Sequence, residues 1–349
     1  MMKKRATLCM LLIHCFILST ISFPLVNATD DSWATLEPMP TARRRLGVAV
    51  VDGKIYAIGG FNGTALSTNE MYDPETDTWT TKEPMPSARY GFGITVVDGK
   101  IYVIGGCNRW NSWSGANQVY DPATDTWEKL TTIPNEVNFV GATAINDKIY
   151  VIGGLATFLP PYISYDLNQV YDTKTDSWDL ETPILQQVHD YGSAVVDNKI
   201  YILGGYDIGY EPQEKDLTQI YNTENETWSY GTSLPTAIWG AAAGATSGVL
   251  APKRIHLLKE NIHYVYDSEN DSWTEETPML TSRSYVSVAV VNDEIYAIGG
   301  YDGDNYLAVN EKYTPADYIP EFPSWIVLPL FVFATLAVIV YRKKLHVIT

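Results

Sequence analysis

Arginine and aromatic residues gather in several short polar stretches of this chain. They are Arg109-Trp110 with Trp113, then Tyr162, His189, Tyr206 and Trp239, with Arg89 and Arg283. Rings of this kind stack on a sugar or a peptide side chain, and a guanidinium pairs with a carboxylate. That is the chemistry of recognition rather than of bond-making. A second group is acidic: DPETD (73–77), DPATD (121–125), DTKTD (172–176), NTENE (222–226) and DSEND (267–271). Clustered carboxylates can hold a hard cation such as calcium. Asp and Asn also cap the backbone of a turn, and a recurring turn explains recurring acids. No metal is expected there, nor at Asp302-Gly303-Asp304, which is too short for a calcium loop. The sequence shows no glycine-rich phosphate loop leading into a helix and no serine-nucleophile elbow, so no catalytic residue and no cofactor is assigned.

The elements that must position these residues recur. KIYAIGG (54–60), KIYVIGG (100–106 and 148–154), KIYILGG (199–205) and EIYAIGG (294–300) place glycine doublets at Gly59-Gly60, Gly105-Gly106, Gly153-Gly154, Gly204-Gly205 and Gly299-Gly300. Six units each reach a tyrosine step (Tyr72, Tyr120, Tyr171, Tyr221, Tyr266 and Tyr313), and a tryptophan follows every one but the last: Trp79, Trp127, Trp178, Trp228 and Trp273, with Trp33 ahead of the first unit. A period of roughly 50 residues marks a radial repeat architecture. Each unit reads as four strands. In the first, strand a is Gly47 to Val51, an Asp52-Gly53 turn leads to strand b (Lys54 to Ile58), strand c ends at Tyr72, and Trp79 begins strand d. The fifth unit departs: its strand b is read at Arg254 to Leu258, Lys259-Glu260 replaces the doublet, and a distorted blade is expected. Six a–b–c segments and six tryptophans close into a ring if the Trp33 strand completes the sixth blade.

The doublet, the Tyr-Asp step and the spaced tryptophan resemble the kelch repeat over about 32–316. The resemblance implies an all-β, six-bladed kelch β-propeller, closed by the N-terminal strand, that serves as a binding module. It also carries two enzyme precedents. A copper oxidase needs a Cys beside a Tyr and two His; this ectodomain has Cys107 but only His189, His256 and His263, the last two in or near blade-five strands. A sialic-acid mutarotase would need acid–base groups round the channel, and no residue singles that out.

Antiparallel strands put the a–b and c–d turns on one face of the ring and the b–c and d–a connections on the other. The arginines, His189 and the aromatics named above all fall on the b–c/d–a face. So do the three tryptophans left after the repeat set and Trp325 are removed: Trp110, Trp113 and Trp239. Arg43, Arg89 and Arg283 stand 16 residues before their doublets, a repetition that suggests a structural part as well, such as a salt bridge between blades.

Residues 1–28 pair a basic start with an apolar run and a small-residue exit, which reads as a secretory signal peptide cleaved near Ala28, or else an uncleaved anchor. The propeller occupies 29–316. A linker (317–324) carries Pro320-Glu321-Phe322-Pro323, an apolar run (325–341) reads as a transmembrane helix, and a basic cytoplasmic tail (342–349) follows. That tail is similar to archaeal C-terminal sorting signals of the PEF type, which implies processing at the motif; a plain anchor is the alternative. Six of the 24 basic residues lie at the two ends. The rest of the chain carries 18 basic against 41 acidic residues, a formal charge of −23 that repels nucleic acid. With Cys9 and Cys15 in the leader, Cys107 stands alone, so packing and not disulfides must hold the blades. Sequons at Asn62, Asn225 and Asn270 are glycosylation candidates. The expected function is a cell-surface module binding an extracellular protein or glycan; a carbohydrate-active isomerase and an adhesion scaffold remain alternatives.

Overall fold

The computed structural model describes residues 31–318 except 110–111, 158–162 and 209–212. Six four-stranded antiparallel sheets stand round a central axis. Strands a adjoin one another in a closed circle at the centre. They are Gly47–Val51, Gly93–Val97, Ala142–Ile145, Gly192–Val196, Ala242–Ala245 and Ser287–Val291. Strand b is covered on both faces and is apolar accordingly; Ile55, Ala57 and Ile58 of Lys54–Ile58 are fully buried. The ring closes as expected. Ser32–Thr35 pairs with Asn310–Thr314, so the N-terminal strand is strand d of blade six. Closing the ring in this way leaves each blade only short edges, at its inner and outer strands.

The repeated residues bind neighbouring blades together. Each strand-d tryptophan donates its indole N–H to the carbonyl just past strand d of the preceding blade: Trp79 to Glu37 at 2.9 Å, Trp127 to Glu83 at 2.9 Å, and Trp33 to Thr277 at 2.8 Å. Trp178, Trp228 and Trp273 do the same to Thr131, Thr182 and Thr232. The acidic pentads are turn chemistry. Their first residue accepts the amide two residues on, as Asp121 does from Ala123 at 2.9 Å. Their last accepts the strand-c tyrosine hydroxyl, as Asp125 does from Tyr120 and Asp176 from Tyr171, both at 2.5 Å. Blade four has Glu226 in that place, and Tyr221 turns to Glu181 of blade three at 2.7 Å.

The glycine doublets have a contact reason. A Cβ on Gly59 would stand 2.7 Å from the Arg89 carbonyl, and the N–H of Gly60 donates to that same carbonyl at 2.9 Å. Blades two, three, four and six repeat the bond through Gly106, Gly154, Gly205 and Gly300. Blade five keeps the bond without the glycine. Glu260 adopts φ 51° and its N–H reaches the Arg283 carbonyl at 2.8 Å. Its strand b is Ile255–Lys259, one residue later than read from sequence, and a tight hairpin leads to Ile262–Asp267. Its long a–b connection folds over Asp293 of blade six, which accepts the amides of Ser247 (2.5 Å), Val249 (3.0 Å), Leu250 (2.7 Å) and Ala251 (3.1 Å). The distortion is thus confined to connections.

The expected signal peptide and the apolar run 325–341 lie outside the described residues. Among the described residues no helix is long and apolar enough to cross a membrane.

Candidate functional site

Three consecutive positions of each d–a connection point three ways. In blade one they are Arg43, Arg44 and Arg45. The first turns into its own blade. Arg43 is fully buried, pairs with Glu70 at 2.9 Å and donates to the Ala57 carbonyl at 3.0 Å. Arg283 pairs with Glu311 at 2.6 Å, and Arg89 bonds Gln118 at 2.7 Å and the Gly105 carbonyl at 2.7 Å; both are fully buried. Burial lowers the Arg43 and Arg89 guanidiniums to about 10, still protonated at neutral pH. This corrects two expectations. Arg89 and Arg283 are not surface recognition groups, and the repeated arginines brace strands within a blade instead of bridging blades. The equivalent positions in blades three to five hold Val137, Val188 and Ile238, also buried.

The second position is clipped to the residue after the doublet. Arg44 bridges to Phe61, Tyr90 to Cys107, Asn138 to Leu155, His189 to Tyr206 and Ser284 to Tyr301. In blade five this position is Trp239, whose ring lies 5.4 Å from Tyr206 and 5.8 Å from Tyr285. Arg44, Phe61, Tyr90, His189, Tyr206 and Trp239 of this tier line a cavity of about 570 Å³ that opens at the middle of the face. Phe61 and Tyr90 form one side; Tyr206, Ile208, Glu214 and Trp239 form the other. Arg44 lines it with its guanidinium carbon 4.5 Å from the Tyr301 ring centre, and between 5.4 and 5.7 Å from those of Tyr285, Tyr306 and Phe61. No carboxylate among the described residues pairs with Arg44, in contrast to Arg43 and Arg45 beside it. His189 sits at the base, 2.9 Å from the Ser164 hydroxyl and edge-on to Tyr206; burial lowers its pKa, so the imidazole is neutral.

The third position forms the floor. Arg45, Gly91, Phe139, Asp190, Gly240 and Tyr285 all have positive φ, between 49° and 66°. Each N–H donates to the carbonyl of its counterpart in the preceding blade, at 2.6 to 3.2 Å, and the six bonds form a closed circle round the axis. Below this ring lies the central channel, about 230 Å³. Across it, Arg45 donates both terminal nitrogens to Asp190, at 2.8 and 3.0 Å. The guanidinium carbon is 3.9 Å from the Phe139 ring centre and 4.2 Å from that of Tyr285. Burial works against the Arg45 charge, but Asp190 and Tyr285 outweigh it and raise its pKa.

Of the residues expected on this surface, His189, Tyr206 and Trp239 meet in the cavity. Arg109 is exposed on the blade-two ribbon Cys107–Arg109, away from the cavity lining. The backbone of Trp113 pairs with Cys107, while Trp110 and Tyr162 lie outside the described residues. Cys107 is buried under Tyr90, and burial pushes its thiol up to about 11. Asn62, Asn225 and Asn270 are all exposed. Arg45, Phe61, Phe139, Asp190, Glu214 and Tyr285 were not singled out from sequence. A signal existed for four of them: they fall 14 residues before a doublet, at a position where the repeat changes residue type from blade to blade.

The Attractin/LZTR1 beta-propeller family model matches residues 55–309, which span most of the propeller. The chain belongs to this family of kelch-type propellers. Kelch repeat and BTB domain-containing protein 2 of Homo sapiens is 31% identical over 131 residues, 37% of this chain and 20% of that protein. Kelch-like protein 23 of Homo sapiens is 30% identical over 155 residues, 42% of this chain and 26% of that protein. Kelch-like protein 36 of Bos taurus is 31% identical over 168 residues, 44% and 26%. The matched part is thus a fifth to a quarter of these relatives. A solved structure, that of YjhT, superposes with TM-score 0.70 over 80% of this chain and 97% of its own, at 15% identity, a likeness of fold. Kelch-type propellers are typically protein-interaction modules.

Proposed function

We propose that this protein is a non-catalytic recognition module outside the cell, held at the membrane by its C-terminal segment. It takes a carboxylate-bearing group of a protein or glycan partner into the cavity on the b–c/d–a face. The observation that carries this reading is Arg44. A guanidinium framed by four rings, lining a cavity and lacking an acidic partner among the described residues, is prepared to receive a planar anion. The rings fix its direction and offer stacking surface to whatever carries the anion. Neutral His189, engaged by Ser164, gives a polar but uncharged base.

The N-terminal apolar run after Lys3, Lys4 and Arg5, and the C-terminal one before Arg342, Lys343 and Lys344, support the extracellular placement. Protease treatment of intact cells that left the propeller untouched while cutting it in lysed cells would refute it.

The binding test is a screen of the purified protein against acidic and neutral glycans and peptides. Arg44→Gln is expected to weaken an acidic hit about tenfold or more, the scale of a charge-assisted hydrogen bond. Trp239→Ala is expected to weaken it by lost stacking. Unchanged binding in both variants would remove this cavity as the site.

A further inference from the structure

The ring beneath the cavity has a feature that its structural work does not require. Six backbone hydrogen bonds close it, and in blades two and five the ring residue is Gly91 or Gly240. Glycine adopts positive φ freely, whereas an L-residue there costs about 1–2 kcal/mol. Four ring residues nonetheless carry large or charged side chains at φ 49–54°: Arg45, Phe139, Asp190 and Tyr285. Backbone strain kept at the floor of a cavity points from geometry to function.

The four side chains form one unit. Arg45 and Asp190 come from opposite sides of the ring, three blades apart, and meet over the axis. Phe139 and Tyr285, the other opposed pair, sandwich the guanidinium. The two glycines make room for these plates. A Cβ on Gly91 would stand 2.5 Å from the Phe139 ring, and one on Gly240 would stand 2.8 Å from the Tyr285 ring. The bidentate pair stands between the cavity and the channel, and both residues line the cavity as well as the channel below. Its effect on a ligand is electrostatic. Two adjacent arginines line the cavity, and one of them is already neutralised by a carboxylate held in fixed geometry.

We propose that Asp190 sets the charge specificity of the cavity. By committing Arg45 across the floor, it leaves Arg44 as the one uncommitted cation among the described lining residues. The cavity therefore accepts a ligand with a single anionic group on a neutral, ring- or hydroxyl-bearing body, and disfavours a ligand with two adjacent anions. The second carboxylate of such a ligand would meet Asp190 and not a free guanidinium. This rests on the reading of Arg44 as the anion-binding group. The competing account is that Arg45–Asp190 merely staples blade one to blade four.

The test uses two probes, benzoate with one carboxylate and isophthalate with two, titrated calorimetrically at low salt into the full-length protein. The variants are Asp190→Asn and Asp190→Gly. Both keep the ring, because Asn tolerates positive φ and glycine already closes the circle in two blades. The native protein should bind isophthalate about tenfold more weakly than benzoate, with both weakened about tenfold by Arg44→Gln. In both Asp190 variants isophthalate should tighten about tenfold while benzoate tightens less than about threefold. An unchanged isophthalate-to-benzoate ratio in both variants overturns the proposal. Such a ratio together with a fall in melting temperature favours the staple. If the native protein binds neither probe but the Asp190 variants gain isophthalate, Asp190 masks Arg45 as proposed and the Arg44 reading fails. If no form binds either probe, both readings fail.

Discussion

The turn-bearing face of this propeller and its cavity-bearing face are built from the same repeat but use it in opposite ways. On the first, the Tyr–Asp and Trp–carbonyl clasps recur from blade to blade with nearly the same geometry. On the second, the positions round the cavity change from blade to blade: Arg44, Tyr90, Asn138, His189, Trp239 and Ser284 in one tier, and Arg45, Gly91, Phe139, Asp190, Gly240 and Tyr285 in the next, where only blades two and five share a residue type. Regularity marks what holds blades together. Departure from regularity marks where a single asymmetric ligand can be read, because a six-fold identical mouth could present only six copies of one contact. Arg43 and Arg44 condense the contrast into two neighbours, one sealed against Glu70 and one framed by rings without an acid.

The largest expected effect breaks that pair apart. Arg43→Ala leaves Glu70 buried and unpaired, and should cost about 3–5 kcal/mol in urea-induced unfolding. Arg44→Gln, which loses ring contacts but leaves no buried carboxylate unpaired, should cost only about 1 kcal/mol while weakening acidic-ligand binding. Equal stability losses in the two variants would dissolve the distinction between brace and reader.

A smaller effect sharpens the regular face. Tyr171→Phe removes the hydroxyl that donates to Asp176 and should cost about 1–1.5 kcal/mol at neutral pH. That hydrogen bond, with help from the Thr131 amide, outweighs burial and holds the Asp176 carboxyl below its ordinary range. Its stabilisation is present above the unfolded value of 3.8 and is lost as pH falls through the lower folded value. The native protein and Tyr171→Phe should therefore converge in stability in strong acid. A gap that stayed constant down to pH 2 would contradict this.

The smallest effect lies at the seam where the ring closes. Glu276, just past strand d of blade five, shares a cavity of about 140 Å³ with Asp31, Arg254, His256 and Asp317. Burial, then a hydrogen bond and repulsion from Asp31, push Glu276 up to about 7. A folded pKa above the unfolded one gives stability that is full below about 4.5 and lost as pH rises through about 7. Glu276→Gln cannot ionise, so its stability relative to the native protein should rise between pH 5 and pH 8. The site is partly exposed, and solvent screening keeps the gain to about 1 kcal/mol or less. His263 and His256 are held neutral by burial and act with the opposite sign, but they are common to both proteins and cancel in the difference. A flat difference across this range would rule out the raised Glu276 pKa.

The sequence showed the fold because each repeated residue answers to a local need. The doublets donate an N–H to a neighbouring blade's carbonyl, the tryptophans donate to the preceding blade, and the Asp-Gly turns such as Asp52-Gly53 take positive φ at both positions. Antiparallel pairing then assigned the faces, and His189, Tyr206 and Trp239 met where that assignment put them. Depth was not legible. Arg89 and Arg283 lie in connections of the right face, but their side chains fold back into the blade beside residues that face the cavity. Nor was the Arg45–Asp190 bridge legible, since it joins residues three blades apart whose only shared mark is a common place in the repeat.

The central claim is that Arg44 reads an anion while its buried neighbours in the repeat do not. It is tested most directly by following the arginine Nε–H resonances by NMR while benzoate is added to the purified protein. The account expects the Arg44 resonance to shift saturably and those of Arg43, Arg89 and Arg283 to stay fixed. Movement of the buried arginines with Arg44 unmoved would contradict it.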